Sequence, residues 1–170
     1  MKKAFWQIAF ITLITLSTSL LAAQEVAQEN TNPILRSENL ADPHMIHYQG
    51  KYYLYGTYLD GSISAGSDHY DVYVSDDMRT WEKVKNIFQA ESVTLWAPDV
   101  FYDPASKMFY LYYSNQMNIG IATANSPVGP FEDQGILIEN AIDAHMYHEG
   151  SQYYLYYSSA DYQSGLVNIG

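Results

Sequence analysis

Two aspartates stand at matching places in a repeated stretch. Asp42 lies in Ala41-Asp42-Pro43-His44-Met45-Ile46-His47-Tyr48, and Asp143 in Ile142-Asp143-Ala144-His145-Met146-Tyr147-His148. With Asp42 set on Asp143 the chain aligns without a gap. His44, Met45, His47, Tyr52, Tyr53, Leu54 and Tyr55 then fall on His145, Met146, His148, Tyr153, Tyr154, Leu155 and Tyr156. A looser copy runs from Ala97-Pro98 to Ser114, where Ala97, preceded by Trp96, takes the place of the aspartate. If the copies surround one axis, two carboxylates and an indole face one cavity. Such a set can cleave an acetal: one carboxylate activates water, another group protonates the leaving oxygen, and an aromatic face holds a sugar ring. A plain structural reading stands beside this one. An Asp ahead of a strand also satisfies turn amides, and Trp96 also suits core filling between repeats.

The elements that must position these residues are β-strands. In the first copy two aromatic-rich runs flank Gln49-Gly50-Lys51, the pattern of a hairpin. Pro43 biases Asp42 toward an extended conformation. Tyr58 to Asp71 is rich in Gly, Ser and Asp and reads as a long loop. Asp71–Ser75 alternates as a third strand, and Trp81–Val84 opens a short outer one. The second unit repeats this order, with Asn118–Thr123 as its third strand and Ser126-Pro127-Val128-Gly129-Pro130-Phe131 as a turn into a poor outer strand. The third unit starts at Ile138 and ends at Gly170 within a strand. Three copies at intervals of roughly 45 to 55 residues predict an all-β fold of radial type, a β-propeller with about two and a half blades. The blades span about 38–90, about 91–137 and 138–170. Tyr52 and Leu54 on one face and Tyr53 and Tyr55 on the other make the central strands apolar on both sides, so both sides need cover.

Residues 1–23 are read as a signal peptide: Lys2 and Lys3, an apolar run from Ala4 to Leu16, then small residues up to Ala23. Gln7, Thr12, Thr15 and Ser17 dilute the run and argue against a membrane anchor. Residues 24–37 form a polar leader, and 38–170 the incomplete propeller. The expected location is secreted or periplasmic. Without Lys2 and Lys3 the chain carries 6 basic residues against 19 acidic ones. That acidity argues against nucleic acid or an anionic membrane as partner. With no Cys there are neither disulfides nor thiolate metal sites. The 17 tyrosines suit packed sheets and carbohydrate-facing surfaces alike.

Four segments, in order, resemble glycoside hydrolase family 43: Ala41-Asp42-Pro43-His44, Trp96-Ala97-Pro98-Asp99-Val100, Ser126–Phe131 and Ile142-Asp143-Ala144-His145. The resemblance covers essentially the whole chain after the leader. It implies a five-bladed propeller enzyme acting with inversion on arabinan, xylan and related side chains, of the α-L-arabinofuranosidase or β-xylosidase type. It further implies Asp42 as the general base and Asp143 as the carboxylate that orients the catalytic acid and raises its pKa. The acid itself, a Glu in the family, is not found. Glu149 falls in a hairpin turn, Glu82 and Glu132 belong to outer segments, and Glu91 and Glu139 lie outside the motif. The chain as given is therefore expected to be inactive by itself. Asp143-Ala144 departs from the commoner Asp-Pro.

Trp96, His44 and His145 are the candidate substrate-binding residues, for an oligosaccharide or polysaccharide. The histidines have a second reading, as hydrogen-bond partners of the aspartates. Asp99 reads first as a solvated or hydrogen-bonded strand residue and second as a substrate contact. Metal binding by the His-x-x-His pairs is not expected, because positions i and i+3 of a strand face opposite sides. No cofactor is required. The resemblance admits a structural calcium in the channel, whose usual protein ligand would lie beyond Gly170. A carbohydrate-binding propeller without catalysis, or an inactive fragment, is the alternative function.

Overall fold

The computed structural model describes residues 35, 39–59, 67–90, 94–161 and 166–169. The expected signal peptide, nearly all of the polar leader, Glu91 and most of the Asp60–His69 loop lie outside the described residues. Among the described residues, eleven strands form three antiparallel sheets. The first contains β1 (Leu40–Tyr48), β2 (Lys51–Tyr58), β3 (His69–Ser75) and β4 (Glu82–Gln89), paired in that order. The second contains β5 (Leu95–Asp103), β6 (Met108–Asn115), β7 (Asn118–Ala124) and β8 (Glu132–Ile138). In the third, β9 (Ala141–Glu149) pairs with β10 (Gln152–Asp161), which pairs with β11 (Leu166–Ile169). Ile138 thus closes β8 instead of opening the third unit. β3 begins at His69, two residues before the alternating run read from the sequence.

Each sheet starts with a hairpin, joined by two residues in sheets one and three and by four in sheet two. Gln49 and Gly50 have φ of 49° and 81°, the two left-handed residues of a type I′ turn, whose twist matches that of its strands. Gly supplies one such conformation at no steric cost. β1 lies against β5, and β5 against β9, so the first strand of each sheet lines the inner side of the ring. The sheets are held together by two apolar clusters. Between sheets one and two, Tyr55, Tyr70 and Phe88 meet Leu95, Phe109 and Tyr113, all within 2% of complete burial. Between sheets two and three, Tyr112 and Ile119 meet Ala141, Ala144, Leu155 and Tyr157. Fully burying one such side chain contributes about 1.5–3 kcal/mol. Polar tips are satisfied at the same seams, as where the Tyr55 hydroxyl donates to the Pro127 carbonyl at 2.7 Å.

Position in the repeat decides what the aromatic pairs do. Tyr53 and Tyr55 are 7% and 0% exposed because sheet two covers them. Their repeat mates Tyr154 and Tyr156, on the far face of sheet three, are each 43% exposed.

Candidate active site

The first strand of every sheet is broken at the same place. The pairing register slips between Ala41 and His44 in β1, between Trp96 and Asp99 in β5, and opposite Tyr156 and Ser158 in β9. The residue at the slip is left-handed each time: Asp42 (φ 48°), Ala97 (φ 44°) and Asp143 (φ 58°). This corrects the expectation that Pro43 keeps Asp42 extended. The bulge inserts extra residues on one strand only, and Asp tolerates the left-handed region better than most side chains. The consequence is functional. A bulge re-aims its side chain out of the alternating pattern, and Asp42 and Asp143 are both exposed although they lie within inner strands.

Hydroxyls on the second strands tie the bulges together. Thr57, buried at the end of β2, donates from Oγ1 to Asp42 Oδ2 at 2.7 Å and accepts the Ala97 N–H at 2.8 Å. Its repeat mate Ser114, at the end of β6, accepts the Asp143 N–H at 3.0 Å. In each case a hydroxyl of one sheet receives the bulge amide of the next. Among the described residues the Asp143 carboxylate has no hydrogen-bond partner. Partial burial, and then the nearby Asp42 charge, raise its pKa above the ordinary Asp value.

Trp96 is half-buried beside the Ala97 bulge, in the sheet between the two aspartates, and belongs to neither apolar cluster. Its carbonyl accepts the Tyr70 hydroxyl at 2.8 Å. The described glutamates lie elsewhere in the sheets. Glu149 ends β9 at the hairpin, Glu82 and Glu132 open the outer strands β4 and β8, and Glu139 lies in the exposed β8–β9 turn.

The histidines are the main revision. Asp99, 4% exposed, reaches both of them across the inner strands. Its Oδ1 lies 3.0 Å from His44 Nδ1 and 2.8 Å from His145 Nδ1, while its Oδ2 accepts the Met146 N–H at 3.0 Å. His44 Nε2 donates to the Val100 carbonyl at 3.0 Å. Both ring nitrogens of His44 are therefore spent inside the protein, and no nitrogen remains for a sugar hydroxyl. Among the described residues His145 is hydrogen-bonded only at Nδ1, and its side chain is 61% exposed. Burial by itself would lower the His44 pKa, but the Asp99 hydrogen bond and charge, with the Val100 carbonyl, hold it above the ordinary value. Asp99 shifts the other way: burial raises its pKa, and the contacts to His44, Met146 and His145 outweigh that. The His-x-x-His partners diverge, since His47 packs on Tyr52 and His148 stacks on Tyr153. Calcium takes six to eight oxygen ligands. The one donor group of its kind among the described residues, two imidazoles and a carboxylate, does not fit that ion.

Thr57 and Ser114 were missed in the sequence, and Asp99, read there as a strand residue, was not connected with the two histidines. The first two had a signal, a hydroxyl residue at the same offset after each Tyr-Leu-Tyr core, as at Ser158.

The profile of glycosyl hydrolases family 43 matches residues 30–169, and the chain belongs to that family. An extracellular endo-α-(1→5)-L-arabinanase 2 of Bacillus subtilis (strain 168) is 28% identical over 79% of this chain and 30% of its own length. An arabinoxylan arabinofuranohydrolase of Paenibacillus polymyxa is 30% identical over 61% of this chain and 20% of its own length. Among solved structures, an endo-1,4-β-xylanase from Bacteroides thetaiotaomicron superposes with a TM-score of 0.62 at 31% identity, over 73% of this chain and 44% of that one. The fold is all-β and of the propeller type of that family. The chain spans less than a third of the length of these two curated relatives.

Proposed function

We propose that this chain forms part of a glycoside hydrolase that cleaves arabinan- or xylan-type saccharides with inversion at the anomeric carbon. Asp42 is the general base that deprotonates the attacking water. Asp143 is the second carboxylate, whose charge keeps the catalytic acid protonated and oriented, since a like charge nearby disfavours ionisation. The observation that carries this is the pair of matching left-handed bulges, which expose two repeat-related carboxylates from inner strands. Thr57 supports the assignment, because it fixes one oxygen of Asp42 and leaves the other without a partner among the described residues. Trp96 offers a face for a sugar ring, and His145 offers Nε2 to a sugar hydroxyl. An inverting site needs acid and base about 6.5–9.5 Å apart with water between them. No described glutamate supplies that acid, so these residues by themselves are not expected to turn over ordinary glycosides. Export to the cell surface or beyond is part of the proposal, supported by the first 23 residues and by the extracellular arabinanase relative.

The test uses the protein in the longest form its gene encodes. Linear arabinan, arabinoxylan and aryl arabinofuranosides and xylosides are supplied, and the first-formed anomer is followed by proton NMR. Release of sugar with inverted configuration supports the proposal. Retained configuration overturns the mechanism, and binding without release on every substrate favours a carbohydrate-binding propeller.

A further inference from the structure

His44, Asp99 and His145 come from β1, β5 and β9, the inner strands of three consecutive sheets, and their donor atoms lie within 4.8 Å of one another. We propose that His44 Nδ1, Asp99 Oδ1 and His145 Nδ1 form a site for a divalent transition ion of the zinc type.

Four observations support it. Imidazole nitrogens and a carboxylate oxygen at about 2.0–2.2 Å from zinc sit roughly 3 Å from each other around the ion. Here the nitrogens are 3.0 and 2.8 Å from the shared oxygen and the three donor atoms lie within 4.8 Å of one another, so the exposed His145 ring has to close toward His44 to share an ion. A metal-bound imidazole normally donates its other N–H to a carbonyl or carboxylate, which fixes the tautomer. His44 does this already, from Nε2 to the Val100 carbonyl. The carboxylate is held in the same way, with Oδ2 on the Met146 N–H. His145 is largely exposed, which gives the ion a path in and leaves room for water at the open positions. Two nitrogens and one carboxylate suit zinc and its first-row neighbours, whereas magnesium and calcium prefer oxygen alone. Binding exchanges the Nδ1 protons of the two rings for the ion, and the protons leave to solvent. With no Cys in the chain, no thiolate competes for it. An ion here would clasp three sheets at the ring's inner wall, beside the exposed aspartates. The site is independent of the hydrolase assignment, and either can fail while the other stands.

Calorimetric titration of the longest gene product with zinc tests it, alongside His145→Ala and, as control, His148→Ala, whose imidazole stacks on Tyr153 outside the cluster. One ion per chain is expected for the parent and the control, with affinity weakened by about tenfold or more in His145→Ala. Because His145 is exposed, its truncation leaves the buried Asp99–His44 contact in place and the fold testable. Cobalt in place of zinc should give visible absorption that disappears in the same variant. No zinc uptake by the parent protein, or equal affinity in His145→Ala, overturns the proposal.

Discussion

The hydroxyl of Thr57 donates to the carboxylate of Asp42 at 2.7 Å, from a side chain only 1% exposed. The same oxygen accepts the Ala97 amide, so one buried hydroxyl sets the orientation of a carboxylate in sheet one and the bulge of sheet two. Positioning of Asp42 and docking of adjacent sheets are thereby the same structural event.

Thr57→Val, close in shape but without the hydroxyl, strands the Ala97 N–H and frees the Asp42 carboxylate. Leaving a buried donor unpaired costs about 1–3 kcal/mol. The denaturant midpoint should fall accordingly. In the active full-length form turnover should drop by roughly ten- to a hundredfold with KM little changed, because the loss is one of orientation. Unchanged stability and unchanged turnover would show that Thr57 positions nothing.

Gly120 lies under the ring of Tyr113. A Cβ built at Gly120 falls 2.1 Å from Tyr113 Cζ. The ring has nowhere to retreat, since it is 1% exposed and its hydroxyl is fixed on Asp133 Oδ1 at 2.6 Å. Gly120→Ala should destabilise the protein by about 1–3 kcal/mol through overpacking. Equilibrium unfolding in urea measures this, and a wild-type midpoint would contradict the packing described.

Asp77 closes the turn between β3 and β4. It accepts the Thr80 and Arg79 amides, each at 2.8 Å, which hold its carboxyl well below the ordinary Asp pKa. A group depressed in the folded state stabilises fully above its unfolded pKa, about 3.9. That contribution is lost as pH falls through the depressed folded value. Asp77→Asn should therefore lower the melting temperature at neutral pH, and the gap to wild type should close as the solution is acidified below about pH 4. A gap of constant size from neutral to strongly acidic pH would contradict the assignment.

Much of this architecture was legible in the sequence because it repeats. Tyr-rich hairpins at matched positions revealed the all-β radial fold, and the same frame set Asp42, Ala97 and Asp143 in register. The left-handed bulge was not legible. Pro43 argues locally for an extended Asp42, and only the mispairing against β2 overrides it. Nor was the convergence of His44, Asp99 and His145. Alternation along one strand shows that His44 and His47 part company, but it cannot show which side chains of three sheets meet at the axis. A repeat fixes equivalence between sheets, whereas contact across them depends on how the sheets are turned toward each other. His44 illustrates the cost: its repeat match with His145 suggested a shared sugar contact, yet Val100 and Asp99 occupy both of its nitrogens.

The most direct measurement is the rate of sugar release by Asp42→Asn in the longest gene product, compared with the parent on the parent's best arabinan- or xylan-type substrate. Asn keeps the size and the Thr57 contact but cannot take a proton from water. Loss of about a hundredfold or more in kcat, with the fold intact, is the predicted result. Full activity in Asp42→Asn would contradict the assignment of the base and the site built around it.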